Sequence, residues 1–188
     1  METRGFATFA PGDGGVAPLG VTVRPATDLD IPGILDINAR AGRPANTAGS
    51  LALAIEDPGR LVVVANASGG MAGWAKTHYW DHPDAAAPSG HYLGGVTVLP
   101  EDRRRGVATA LTDARLDWIW QRSDAAWYVV NVDNLPSIAL HRRWGFSEAA
   151  RAPQFHTTQF TGGVGLLMKA ERAAACLPHR NGPEGEHG

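Results

Sequence analysis

The chain has 188 residues, 44% apolar and 19% charged, with a formal net charge of −2. That suits one domain with a full core, and the balanced charge argues against overall attraction to nucleic acid or to an anionic membrane. The single cysteine, Cys176, excludes an internal disulfide and a cysteine metal cluster and fits a reducing, cytoplasmic setting.

Residues 1–20 are Gly-, Pro- and Ala-rich, too polar and broken for a signal peptide. Residues 171–188 are Gly-, Pro- and charge-rich, so both ends read as mobile tails around a domain at 21–170. No apolar run approaches the roughly 20 residues that span a bilayer.

Residues 21–25 alternate as a short strand. Thr27 and Asp28 offer N-cap chemistry to a helix reaching Arg40, with Ile31, Ile34, Leu35 and Ile37 as its apolar stripe and Pro32 in its first turn. A second helix over 48–55 stops at Asp57-Pro58-Gly59. Strands over 60–65 and 71–79 flank the Ser68-Gly69-Gly70 turn as a hairpin. A loop follows over 80–89, then a strand over 91–98. From Gly106, residues Val107, Ala110, Leu111, Ala114 and Trp118 predict one helical face. A strand over 126–132 precedes a helix from Pro136 to Trp144, with Gly145 as its C′ glycine. Strands over 146–150 and 164–169 complete the chain. Alternating elements after His91 predict an α/β (α+β) domain, a mixed sheet with helices on its faces.

The segment from Gly95 to Leu111 carries the strongest chemical signal. A strand leads into Leu99-Pro100-Glu101-Asp102, then Arg103-Arg104-Arg105-Gly106, then an amphipathic helix. Such a loop aims backbone N–H groups at one point, and the helix dipole favours an anion there. Three arginines at a helix N-terminus oppose that dipole, which makes sense with a phosphate or pyrophosphate between them.

About thirty residues on lies Asn131-Val132-Asp133-Asn134-Leu135-Pro136-Ser137-Ile138-Ala139-Leu140-His141-Arg142-Arg143-Trp144-Gly145-Phe146. The first segment fits R/Q-x-x-G-x-G/A through Arg103, Gly106 and Ala108. The second resembles N-x-x-(A/S)-x-x-L-Y-x-x-x-G-F through Asn134, Ser137, Leu140, Gly145 and Phe146. In that order and at that separation, the two resemble the paired motifs of the GCN5-related N-acetyltransferases, and the likeness covers roughly residues 21–170.

The resemblance implies a single splayed mixed sheet of about six or seven strands with about four helices, opening between the fourth and fifth strands. It implies acetyl-CoA as cosubstrate and no metal. Thr97 and Val98 would pair with the pantetheine arm. The loop Arg103, Arg104, Arg105, Gly106, Val107, Ala108 and Thr109 would hold the pyrophosphate. Asn134, Ser137 and Arg142 would contact the cofactor elsewhere. An N–H near Val96–Val98 would polarise the thioester carbonyl.

Where many members carry a tyrosine acid, this chain has His141. It is either the acid for the leaving thiolate or a packing residue at the cofactor edge. Some histone-type members hold a carboxylate base on the fourth strand, and the corresponding residue here is Tyr92. An alkyl ammonium of pKa about 10.4 costs about 4.6 kcal/mol to deprotonate at neutral pH, so a base helps. Tyr92, Asp133, His91 and the 81–84 loop are the candidates. Trp80, Asp81, Asp84 and His91 are expected to line the acceptor site. Trp74, Tyr79, Trp80 and Tyr92 are expected to divide between groove and core, because strands alternate faces. His78, His82 and His91 match no common zinc spacing.

The expected activity is transfer of acetyl to a primary amine by direct attack in a ternary complex. Cys176 lies outside both motifs and is a poor nucleophile candidate. The expected acceptor is a small-molecule amine such as an aminoglycoside or other antibiotic, or a polyamine. A protein N-terminus or lysine is the alternative, and a non-catalytic acyl-CoA sensor is the reading from another class. The expected state is monomer or homodimer, without nucleic acid or membrane.

Overall fold

Hydrophobic runs set the middle of the sheet. In Val62–Ala67 (β2) the first four residues are buried on both faces, as expected of a strand covered from two sides. β2 pairs antiparallel with Thr22–Pro25 (β1) and with Gly70–Trp80 (β3), and β3 with Gly90–Val98 (β4). This computed structural model describes residues 20–44, 46–67 and 69–172. The expectations for 1–19 and 173–188, Cys176 included, fall outside the described residues.

Helix α1 (Ile31–Arg40) follows a 3₁₀ turn in which Thr27 and Asp30 form a capping box. Asp30 also accepts two 2.7 Å bonds from the Arg24 guanidinium, which holds its carboxyl down at about 2. Helix α2 (Ala48–Glu56) is capped by Thr47, whose Oγ1 accepts the Ser50 N–H at 3.1 Å. Both helices pack against Val62, Val64 and Trp74 on one sheet face. Helix α3 (Val107–Trp120) covers Val63, Ala65 and Ala75 on the other.

After α3 come Ala125–Asn131 (β5), Leu135–His141 (α4), Ser147–Ala152 (β6), Gln154–Phe155 (β7), Thr158–Gln159 (β8) and Gly165–Glu171 (β9). The seven-stranded sheet runs β1-β2-β3-β4-β5-β9-β6, and β7–β8 form a separate two-stranded ribbon. The sheet is antiparallel throughout except at β4–β5, which run parallel. With four helices on it, this is the mixed α/β architecture expected from the sequence.

The structure corrects several local expectations. Trp80 belongs to β3 rather than to the following loop. The predicted 136–144 helix is α4 plus a 3₁₀ turn over Arg142–Trp144, closed by Gly145 at φ 76°. The last strand continues through Glu171, beyond the predicted 164–169, and the Arg172 N–H donates to the Asp124 carbonyl. The β7–β8 ribbon was unanticipated. The fully buried stripe of α3 is Val107, Leu111, Thr112, Arg115, Leu116 and Ile119, with Ala110, Ala114 and Trp118 at its half-buried margin. The predicted face is rotated because the stripe includes an arginine.

Candidate active site

β4 and β5 are joined at a single paired position, Tyr92 with Trp127. Beyond it the strands part and leave a gap at the C-terminal end of β4. The gap starts at a bulge, because two residue steps of β3 (Ala75 to Thr77) face three of β4 (Leu93 to Val96). The bulge residues are Gly94 and Gly95, and a Cβ on Gly94 would lie 2.9 Å from the Lys76 carbonyl. Past the bulge the Leu99 N–H donates to Ala72 of the β3 side at 2.9 Å. Amides alternate along a strand, so those of Val96 and Val98 turn away from β3, toward the gap. Thr97 is buried opposite Trp74.

The 3₁₀ turn Pro100–Asp102 turns the chain from β4 toward α3. Arg104 (φ 61°) and Gly106 (φ 89°) both adopt left-handed backbone, curling the loop over the helix start. The Gly106 carbonyl accepts the first intrahelical bond, from Ala110 at 3.0 Å, so the N–H groups of Val107, Ala108 and Thr109 have no partner within the helix. Arg105 lies 3.6 Å from Asp102. Arg43, from the connection between α1 and α2, is held below its ordinary pKa by burial and by Arg103. The geometry is a ring of backbone donors in a cationic rim, open to an anion.

The β5 wall is made of side chains. Asn134 caps α4, its side chain accepting the Ser137 N–H at 3.3 Å. His141 is 5% exposed and stacks on Tyr128 at 4.3 Å, with Phe146 edge-on to both. Its Nδ1 lies 2.8 Å from the Ser137 carbonyl, so Nδ1 carries the proton. Burial pushes this imidazole down to about 4, against a smaller upward pull from that bond. The Tyr128 hydroxyl is buried without a partner among the described residues, and burial pushes it up. Across the mouth, Arg143 reaches Thr109 Oγ1 at 3.4 Å and Trp144 Nε1 donates to Asp113 at 2.8 Å. The Asp133 N–H donates to Asn131 Oδ1 at 2.9 Å.

Arg115 was missed by the sequence reading. Its fully buried guanidinium donates to the carbonyls of Gly94 (3.0 Å), Lys76 (3.2 Å) and Leu111 (3.0 Å) and to Thr112 Oγ1 (3.0 Å). No carboxylate pairs with it among the described residues. A buried cation without a counter-charge costs several kcal/mol, and burial pushes Arg115 down to about 9, still charged at neutral pH. Its bond to Gly94 ties α3 directly to the bulge. An arginine four residues after Leu111, on the apolar stripe, was the available signal.

The opposite sheet face gathers other predicted residues. Tyr92 is 3% exposed, and its hydroxyl donates to the Pro88 carbonyl at 2.6 Å. Trp80 stacks on His156 at 4.2 Å, with His82 and Tyr92 edge-on to that imidazole. Asp81 bonds His82 Nδ1 at 2.5 Å, and Asp84 closes a backbone bridge with Ala87. A shallow cavity of about 400 Å³ opens here, lined by Pro83, Ala85, Trp127 and Leu167 among others. His91 does not join the group. It packs on the α3 side, 5.3 Å from Trp118 and 4.8 Å from Tyr79. Trp74 lies in the core with Nε1 on Asn38, while Tyr79 stays 46% exposed. Burial, with Lys76 and Arg60, pushes His78 down to about 4. Among the described residues no three His, Cys, Asp or Glu side chains form a metal-holding group, and no helix is long and apolar enough to cross a membrane.

Residues 32–146 match the model of the acetyltransferase (GNAT) family. A mycothiol acetyltransferase of Clavibacter sepedonicus is 33% identical over 150 residues, covering 73% of this chain and 46% of the relative. The chain thus spans about half the length of that curated relative. Among solved structures, the ribosomal-protein-S18-alanine N-acetyltransferase of Escherichia coli is similar with a TM-score of 0.65 at 22% identity, over 82% of this chain and 96% of that one. yncA of Salmonella typhimurium, a putative acetyltransferase solved with its cofactor acetyl-CoA, is similar with a TM-score of 0.66 at 19% identity, over 85% and 98%.

Proposed function

Because this chain belongs to the GNAT acetyltransferase family, we propose that it is an N-acetyltransferase that moves acetyl from acetyl-CoA to the primary amine of a small molecule, by direct attack in a ternary complex. The gap between β4 and β5, beginning at the Gly94-Gly95 bulge and ending at the α3 N-terminus, is the observation that carries this reading. The pantetheine chain lies along Thr97 and Val98 as an added strand, using amides that β3 leaves unused. The pyrophosphate sits on the first-turn N–H groups of α3 within the loop from Arg103 to Thr109. Asn134, Ser137 and Arg142 border the cofactor from the other wall. The residues present therefore fit acetyl-CoA.

The chemical step follows from the same geometry. The amine nitrogen attacks the thioester carbon, the carbonyl oxygen gains charge, and the amide of Val96 is the donor placed nearest the bulge to receive it. Collapse breaks the C–S bond, and the electron pair leaves on sulfur. Coenzyme A thiolate is a fair leaving group, so His141 is assigned to packing. With its proton on Nδ1, toward the Ser137 carbonyl, it offers no proton to sulfur from the other nitrogen. Arg115 acts through the main chain as a positioning residue, holding the bulge that aims the Val96 amide.

The acceptor is assigned to small amines. Asp81 and Asp84 lie on the exposed loop beside Trp80 and suit a cation. The one curated relative described above is named for mycothiol, a small molecule. Calorimetry with acetyl-CoA, followed by a thiol-release assay with spermidine, glucosamine, ethanolamine and a peptide bearing an N-terminal alanine, tests the reading. Binding plus CoA release with a small amine is expected. Turnover with the peptide alone moves the acceptor to proteins, and tight binding with no turnover on any amine makes the chain a sensor.

A further inference from the structure

The acceptor amine needs a base, and three of the candidates read from the sequence are placed for other tasks. Tyr92 is committed to the Pro88 carbonyl, and its phenol is pushed up by burial. His91 is on the wrong face of β4. Asp81 is exposed and bonded to His82.

His156 is 5% exposed, and neither ring nitrogen has a hydrogen-bond partner among the described residues. Buried polar atoms of this kind are uncommon and call for an explanation, because desolvation goes unrepaid. The ring lies edge-on to Tyr92 at 5.4 Å, on the face away from α3 and α4. Tyr92 forms the single rung at which β4 and β5 part, so His156 sits against the closed end of the gap. Its plane is fixed by stacking on Trp80 at 4.2 Å and 4°. Its backbone is fixed by the Gln154 side chain, which donates to the His156 carbonyl at 2.7 Å, in a turn with φ 48°. The turn joins β7 to β8, a ribbon outside the main sheet. The ring is thus carried by a short ribbon that is anchored through Phe155, buried with Tyr92 and Leu167.

We propose that His156 is the catalytic base: its imidazole takes the proton of the acceptor ammonium. The inference rests on the acetyl-transfer reading above. The acceptor arrives as R–NH₃⁺, and one proton passes to a ring nitrogen of His156. The lone pair set free forms the N–C bond with the acetyl group. As the C–S bond breaks, its electron pair goes to sulfur, and the second nitrogen proton leaves to the thiolate or to water. His156 then returns its proton to solvent. The titratable groups facing the ring are His82, backed by Asp81, from the loop after β3, and Tyr92 from β4. β3 contributes the uncharged Trp80, and the ribbon itself contributes Gln154.

The test uses the intact protein, acetyl-CoA and whichever amine of the panel above gives turnover. His156→Ala and His156→Gln should each lower kcat about 10²-fold near neutral pH, the usual scale for one base. Both should leave the Kd for acetyl-CoA and the Tm near wild type. The deficit should shrink as pH rises toward the pKa of the amine, and added imidazole should rescue the alanine variant. Wild-type kcat in His156→Gln, or a deficit that ignores pH and tracks a fall in Tm, overturns the proposal and leaves a packing residue. Wild-type protein that releases no CoA with any amine overturns the acetyl-transfer reading itself, a result seen before any variant is made.

Discussion

The two walls of the gap are built from different material. On the β4 side the proposed binding surface is main chain: two glycines that make a bulge, amides that β3 does not use, and a helix start with unspent donors. On the β5 side it is side chain: Asn134 capping α4, and His141 locked between Tyr128, Phe146 and Trp144. A main-chain wall is tuned by what holds the backbone in shape, and Arg115 does that here from inside the core. A side-chain wall is tuned by packing. The two therefore answer differently to mutation.

The largest effect is expected at Arg115. Arg115→Met keeps the reach but removes every donor to the bulge. Loss of positioning on the scale of an ångström costs about 10²-fold in rate. Tm should move by only a few degrees, because removing a lone buried charge offsets the Gly94 and Lys76 carbonyls left unpaired. If kcat/KM holds at the wild-type value in a thiol-release assay, the β4 wall does not depend on α3 for its shape. Gly106→Val comes next. A β-branched residue at φ 89° carries roughly 1–2 kcal/mol of left-handed strain, so acetyl-CoA affinity should fall about tenfold by calorimetry. Unchanged affinity would take the pyrophosphate away from this loop.

The smallest effect is expected on the side-chain wall. His141→Phe should keep kcat within about threefold, well under 1 kcal/mol of barrier. A larger loss, confined to kcat, would return His141 to the role of acid. Its signature lies in stability instead. Folded His141 and His78 are pushed from 6.5 down to about 4. Above pH 6.5 neither ring is charged in either state. Below it the unfolded chain binds protons that the folded protein refuses until about pH 4, so stability falls across that window by up to about 1.4 kcal/mol per pH unit for each histidine. Thermal melts from pH 7.5 to 4.5 should show this slope, and His141→Phe should flatten it.

The same contrast explains what was legible in the sequence. The arginine loop and the Asn134–Phe146 block could be read because they need particular residues at particular spacings: glycine where φ is positive, asparagine where a helix is capped. The mixed sheet with helices on its faces followed from the alternation of elements, whereas its strand order and the parallel β4–β5 pairing rest on contacts between residues far apart in the chain. Arg115 was missed because its stripe reads as apolar, and only the structure shows carbonyls positioned to receive a guanidinium. Gly94-Gly95 left a visible mark, since paired glycines within a strand suggest a bulge. His156 left none, because a two-residue turn between two-residue strands has no periodicity to detect.

The single rung between β4 and β5 also makes the sheet a hinged pair of plates. On one plate α1, α2 and most of α3 clasp β1–β4; on the other, β5, β9 and β6 carry α4. The turn between α3 and β5 at residues 121–124 crosses from one plate to the other. A chain nicked there would keep each plate's own ladder of hydrogen bonds. The two pieces would then be rejoined chiefly by the apolar seam of Leu93, Leu116 and Ile119 against Ala126 and Tyr128. On the proposed reading, the cosubstrate would span the same line along which the two plates meet.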